Sequence, residues 1–400
     1  LAVFQTHWQQ ILAEKKTQGL YRRLRLLESP QSAHIKVDGL SCLGFCSNDY
    51  LGLANHPDIK AAAMESISND GFGSGASHLV IGHHQQHAML EQEIAEFTGR
   101  ERALVFSSGY MANLALVSTL VGKSDVVLHD RLNHASLLDG GLLSGARFQR
   151  YLHNDMSRLR SSLEKFSRDP GVKRILVVTD GVFSMDGDIA RLEEMSQLCT
   201  EFDALLMVDD AHGLGILGHR GKGTLSHLSL SADQVPVLIG TFGKAFGTAG
   251  AFVAGSDMLI EYLIQTARPY IYTTAMPPST AAATRMSLKI VAEAESEREH
   301  LRFLLSYFKQ ELSLLSAGFD VPCSLLKSDT PIQPLVVGDA FKTLEISRIL
   351  ADQGVLVGAI RPPTVPVQTS RLRITFSAAH CKEDVDQLIV ALRHAFQKVF

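Results

Sequence analysis

A chain of 400 residues with 46% hydrophobic and 20% charged side chains carries the material for about two domains and a sizeable buried core. Its formal net charge of -4 leaves no electrostatic footprint for nucleic acid or an anionic membrane surface. No run reaches the ~18 consecutive apolar residues of a spanning helix, and the opening LAVFQTHWQQ lacks the order of a secretory signal, so the expectation is a cytoplasmic protein.

In chain order, residues 8–27 read as an amphipathic helix ending in a basic cluster, stopped at Ser29 and Pro30. HIKVDG and LSCLGF then predict a short hairpin turning at Asp38 and Gly39. Residues 1–55 are expected to form an arm. From 56 to 290, apolar runs alternate with helical stretches: ALVFS, DVVLHD, RILVVTD, ALLMVDD, PVLIGTF and AGAFVAG. Several are continuously apolar, as strands covered by helices on both faces must be, so this stretch is expected to hold a mostly parallel α/β sheet. A charged helical segment near 292–312 leads into short strands and helices, and residues 291–400 predict a smaller α+β domain. The cysteines (Cys42, Cys46, Cys199, Cys323, Cys381) are odd in number and scattered, which fits a reducing compartment. Cys42 and Cys46 have no second pair or neighbouring histidine to complete zinc coordination, and no metal is expected.

Unusual polar residues fall at the downstream ends of these strands, where ligands bind in open α/β sheets. Ser107-Ser108-Gly109-Tyr110 follows the first run; taken alone it reads first as a serine cap and second as a phosphate cradle at a helix N-terminus. His134 follows the second and reads alone as a helix cap or core histidine. Ser184 follows the third. Asp209 and His212 follow the fourth; a carboxylate ending so apolar a strand needs solvent, a cation or good donors. Thr241 and Lys244 follow the fifth, and Lys244, between small and aromatic residues, is either a turn lysine or one desolvated for Schiff-base chemistry. Together an anion cradle, a carboxylate, an imidazole and a desolvated lysine are the protein parts that pyridoxal phosphate requires. GLGILG (213–218) matches a dinucleotide fingerprint, but the following HRGKGTLSH does not read as the helix that would receive pyrophosphate. His83 and His87 have no carboxylate ligand at zinc spacing and are expected on the surface.

The strings SNDYLGLANHP, SSGYMAN, NHASLLDG, DGVFSMDGD, VDDAHGLG, TFGKAFG and IRPPTVPVQTSRLRITFSAAH resemble, in order and spacing, the α-oxoamine synthases, which are pyridoxal-phosphate enzymes. IRPPTVP, HNDMSRL and YRRLR are most similar to the branch that makes 8-amino-7-oxononanoate for biotin, from L-alanine and a pimeloyl thioester of coenzyme A or acyl-carrier protein. The resemblance implies fold type I, with a mostly parallel seven-stranded sheet in a large domain, a small C-terminal α+β domain and an N-terminal arm. It makes Lys244 the Schiff-base lysine, Asp209 the partner of the pyridine nitrogen and His134 the residue stacked on the ring. His212 and Ser184 would face the ring hydroxyl, and Gly109, Tyr110 and Thr241 the phosphate. Asn48 and Arg373 match residues that hold the amino-acid carboxylate, Arg22 an acyl-substrate contact and Thr364 a segment that closes over substrate. Family members are homodimers with shared sites, so Thr273 and Thr274 would reach the neighbour's phosphate. GSGASHLVIGHH (73–84) departs from the family's GSGGSR-like text and leaves acyl-chain length open, as it leaves relatives that use glycine with acetyl or succinyl donors. An inactive scaffold subunit is disfavoured because Lys244, Asp209 and His134 are all present.

Overall fold

A computed structural model of the chain describes residues 1–318 and 323–400. The apolar runs become strands β1 (Arg102–Phe106), β2 (Val126–Asp130), β4 (Ile175–Asp180), β5 (Leu205–Asp209), β6 (Val237–Thr241) and β7 (Ala251–Gly255), with β3 (Arg147–Tyr151) between β2 and β4. They form one seven-stranded sheet in the order β1-β7-β6-β5-β4-β2-β3. Only β7 runs against the others. β3 had no counterpart among the expected runs, because as an edge strand it is RFQRY, buried only at Tyr151.

Both faces of the sheet are covered, which is why the runs do not alternate. Leu104, Val127, Leu176, Val178 and Met207 pack on one side with Ala112, Leu116 and Leu137 from the helices α2 (Gly109–Leu120) and α3 (Ala135–Ser144), which follow α1 (Gln85–Thr98). Val126, Leu128, Val177, Leu206 and Val208 pack on the other with Leu159, Leu163 and Met195. Burying such side chains contributes roughly 1.5–3 kcal/mol each.

The chain separates into two units, one of Leu1–Asn48, Met185–Gly187 and Glu299–Phe400, the other of Asp49–Ser184 and Asp188–Arg298. Residues 49–55 and 291–298 thus fall in the second unit, whereas residues 1–48 of the expected arm and 299–400 of the expected small domain fall together in the first. Their link is a strand pairing: Val355–Leu356 adds in parallel to Leu43 and Gly44 of the hairpin His34–Val37 and Leu40–Gly44. Asp38 and Gly39 both take positive φ (51° and 82°), the geometry of a two-residue hairpin turn. The same unit holds an antiparallel sheet of Ser324–Leu325, Ile332–Gly338, Ser370–Thr375 and Gly358–Ile360. The first helix spans Ala2–Thr17 rather than 8–27 and buries none of its residues; Gly19, with φ of 67°, stands just past its end. Among the described residues no helix is long and apolar enough to cross a membrane.

Candidate active site

The carboxyl ends of five strands of the large unit meet around one cavity of about 190 Å³, lined by Gly109, Tyr110, Asn113, His134, Ser136, Asp180, Val182, Ser184, Asp209, Ala211, His212, Thr241 and Lys244. Eight of these were singled out in the sequence. The other selected residues lie elsewhere. Thr273 and Thr274 belong to the same unit but not to the cavity wall; Thr274 bridges to Ser77 of the glycine-rich segment. Asn48, Arg373, Arg22 and Thr364 belong to the other unit. There Arg373 donates through both terminal nitrogens to Asn48 Oδ1 at 3.2 Å. Arg22 and Thr364 line a separate cavity of about 230 Å³ with Lys15 and Arg361.

At the end of β1, Ser108 accepts from the Met111 N–H and caps α2, leaving the Gly109 turn as a helix N-terminus beside Thr241. Such a terminus carries unpaired N–H groups and a partial positive charge, the elements of an anion site. Thr241 Oγ1 is held against Gly250 O at 3.0 Å. After β6 the chain turns through Lys244, whose carbonyl accepts from Gly247 N. A side chain at Gly247 would strike the backbone of Leu53 and Ala54 at 2.5 Å, and its φ is +64°, so only glycine permits this return.

Asp209 is buried at the end of β5 and accepts from Asn113 Nδ2 at 2.6 Å and the Ala211 N–H at 3.0 Å. Asn113 also donates to Ser136 Oγ at 2.9 Å, and Ser136 Oγ lies 2.7 Å from His134 Nδ1. The Ser136 N–H donates to that same nitrogen, so Nδ1 is the acceptor and a neutral His134 carries its hydrogen on Nε2. Crowding by the protein, opposed by Asp209 and assisted by Lys244, holds the His134 imidazole below its usual range, although its open face still meets solvent. His212 Nδ1 sits 2.7 Å from the Tyr50 hydroxyl, which fixes the ring from behind.

Sequence reasoning missed Asn113, Ser136 and Asp180. Asn113 left a trace as an amide inside the apolar helix GYMANLALVSTL, where it needs a partner. Asp180 left a clearer one, a carboxylate ending ILVVTD as Asp209 ends LLMVD. The sheet register sets these two carboxylates side by side. Burial first, then the charge of Asp209, push the Asp180 carboxyl well above the usual range, and one of its oxygens accepts from the His134 N–H. Next along the chain, the GLGILG stretch is shaped by Asp210 rather than by a nucleotide. Thr224 N–H and Oγ1 both donate to that buried carboxylate, and side chains at Gly213 or Gly223 would collide with it at about 2 Å.

Pyridoxal phosphate fits this set. A lysine and a carboxylate share the cavity with an imidazole and a helix N-terminus, and Asn113 Oδ1 and Asp180 Oδ1 are buried in its wall without a hydrogen-bond partner among the described residues. His87, expected on the surface, is fully buried on α1, where both ring nitrogens find backbone partners: Nδ1 accepts from the His84 N–H and Nε2 donates to Met276 O.

Comparison with known proteins agrees. The family Aminotransferase class I and II matches residues 41–392. An 8-amino-7-oxononanoate synthase of Cellvibrio japonicus is 56% identical over 95% of this chain and 93% of its own. One of Pseudomonas putida is 55% identical over 97% of both. Among solved structures, a serine palmitoyltransferase of Sphingomonas wittichii superposes with a TM-score of 0.90 at 30% identity, covering 97% of each chain. The 8-amino-7-oxononanoate synthase of Francisella tularensis gives 0.75 at 30%, covering 89% of this chain and 98% of that one. With a fold-type I sheet, a cavity built for pyridoxal phosphate and relatives matched along nearly its whole length, the chain belongs to the α-oxoamine synthases of the class I and II aminotransferase family.

Proposed function

We propose that the chain joins L-alanine to a pimeloyl thioester with loss of CO2 and free thiol, giving 8-amino-7-oxononanoate. The observation that carries this reading is the near full-length identity of 54–56% to relatives that bear that activity's name. Lys244 would hold pyridoxal phosphate covalently, and its amine, when free, would take the Cα proton of alanine and later return one. The bound cofactor supplies an electron sink for that carbon. Asp209, oriented by Asn113 and the Ala211 N–H, would keep the pyridine nitrogen protonated. His134 would help hold the cofactor ring, and its Nε2–H would be available to the thioester oxygen as charge develops there. His212 and Ser184 would hold the ring hydroxyl, while Gly109, Tyr110 and Thr241 would receive the phosphate. Arg373 and Asn48 bind the alanine carboxylate and so select which Cα bond breaks. Arg22 and Thr364 receive the acyl donor, on coenzyme A or a carrier protein.

The working form is a homodimer, with Thr273 and Thr274 completing the phosphate site of the second copy. Leu79, Val80 and Ile81 (84% exposed) and Tyr272 (70%) support this, since the Ser77–Thr274 bridge gathers them on one side of the large unit. Thiol release measured for alanine and glycine against pimeloyl and acetyl donors, with Lys244→Ala as the blank, tests the reaction. Alanine with the pimeloyl donor should turn over fastest. Faster turnover of glycine with the acetyl donor would place the chain in another branch of the family.

A further inference from the structure

The glycine-rich segment in which this chain departs from its family's text carries a histidine cluster that the proposed reaction leaves unused. Residues His78–Gly82 form one wide helical turn, and α1 begins three residues later with His84 as its cap. This folding turns His78 and His83 onto the buried His87. One ring nitrogen from each of His78, His83 and His87 lies within 4.8 Å of the others. The Nδ1 atoms of His78 and His83 face each other at 3.0 Å.

Two imidazole nitrogens at that distance are either bridged by a single proton or joined through a cation. Ligands about 2.0–2.1 Å from a tetrahedral ion stand roughly 3.4 Å apart, so the close pair already has that spacing and the widest must shrink by about an ångström and a half. His83 is exposed and His78 half-buried, so the mobile members are the ones that must move. Outer contacts are in place as well. His83 Nε2 lies 3.7 Å from the Glu91 carboxylate, whose other oxygen is fixed by the Val105 N–H. His87 Nε2 donates to Met276 O at 2.8 Å, and His78 stacks on Tyr270 at 4.9 Å between centroids. A ring whose far nitrogen is tied to a carboxylate or carbonyl presents its near nitrogen to a metal. For His87 that near nitrogen now accepts from the His84 N–H at 2.9 Å, a bond the metal would replace.

We propose that His78, His83 and His87 bind one transition-metal ion of the zinc class, with solvent as the fourth ligand, clamping the glycine-rich turn to the start of α1. Three imidazoles favour Zn2+, Co2+, Ni2+ or Cu2+ over Mg2+ or Ca2+. The site is structural and independent of the reaction assigned above.

The test uses holoenzyme freed of metal by a chelator and then dialysed. Titration with Zn2+ by calorimetry, with elemental analysis after desalting, should give one ion per chain. His83→Gln and His78→Gln should each weaken binding by at least about tenfold, since removing even an outer partner of a ligand costs that much. His83 is exposed, so His83→Gln keeps the fold, checked by circular dichroism and bound-cofactor absorbance. Zn2+ should raise the melting temperature of the parent protein and not of the double variant. Absence of stoichiometric Zn2+, or equal affinity in the His78→Gln/His83→Gln double variant, overturns the proposal.

Discussion

The chain of contacts Asp209–Asn113–Ser136–His134 joins a strand-end carboxylate to an imidazole of the same cavity through two groups from different helices. Asn113→Ala removes both donations at once and, among the described residues, leaves the Asp209 carboxylate with only the Ala211 N–H. A hydrogen bond to a charged group is worth about 1.5–3 kcal/mol, so the cofactor dissociation constant should rise roughly tenfold or more. Absorbance titration of apoenzyme with pyridoxal phosphate measures it, and unchanged affinity would mean that Asn113 does not position Asp209. Lys244 and Asp209 were legible in the sequence because each is a polar residue stranded at the end of an apolar run. Asn113 and Ser136 were not, since a polar residue in a helix is equally explained by solvent or a cap until the neighbouring strand is in register. His87 was misplaced for the same reason: its helix position is readable, but the turn folding back over it is not.

β3 and the loop after it show how an element escapes pattern reading and still shapes the site. RFQRY is polar enough to pass for a loop, yet it pairs along all of β2. It delivers His153, which lies between the buried Asp130 at the end of β2 (3.0 Å) and Asp188 beyond Ser184 (2.9 Å). Asn154 adds bonds from its N–H to Asp130 and from Nδ2 to Asp188, and the His153 ring stands edge-on to Phe183. Burial opposes charge on His153, but the two carboxylates win and lift it from 6.5 to about 10. Because the folded value lies above the unfolded one, the clamp contributes fully below about pH 6.5 and drains away as pH climbs toward 10. Urea midpoints for the parent and His153→Gln should therefore differ most in mild acid and converge in alkali. A gap that stays constant across that range would show that His153 is not held as an imidazolium.

At the scale of the molecule, apolar runs and strand-end polarity were enough to predict the large unit's layers, whereas the division of the chain was not readable from linear order. Met185–Gly187, between two cavity residues' segments, belongs to the other unit because Ser328 Oγ and Thr330 Oγ1 both donate to Gly187 O. A pairing so distant in sequence leaves no local mark. Association between copies leaves only an indirect one, an apolar surface without cover. Ile81 is 84% exposed, so in an isolated chain Ile81→Glu should change stability by no more than about 0.5 kcal/mol. In the proposed dimer the same change buries a charge in an apolar contact and should shift sedimentation toward monomer, weakening cofactor retention as Thr273 and Thr274 leave the neighbouring site. A parent protein that already sediments as a monomer, or a variant that remains fully dimeric, would remove this surface from the interface.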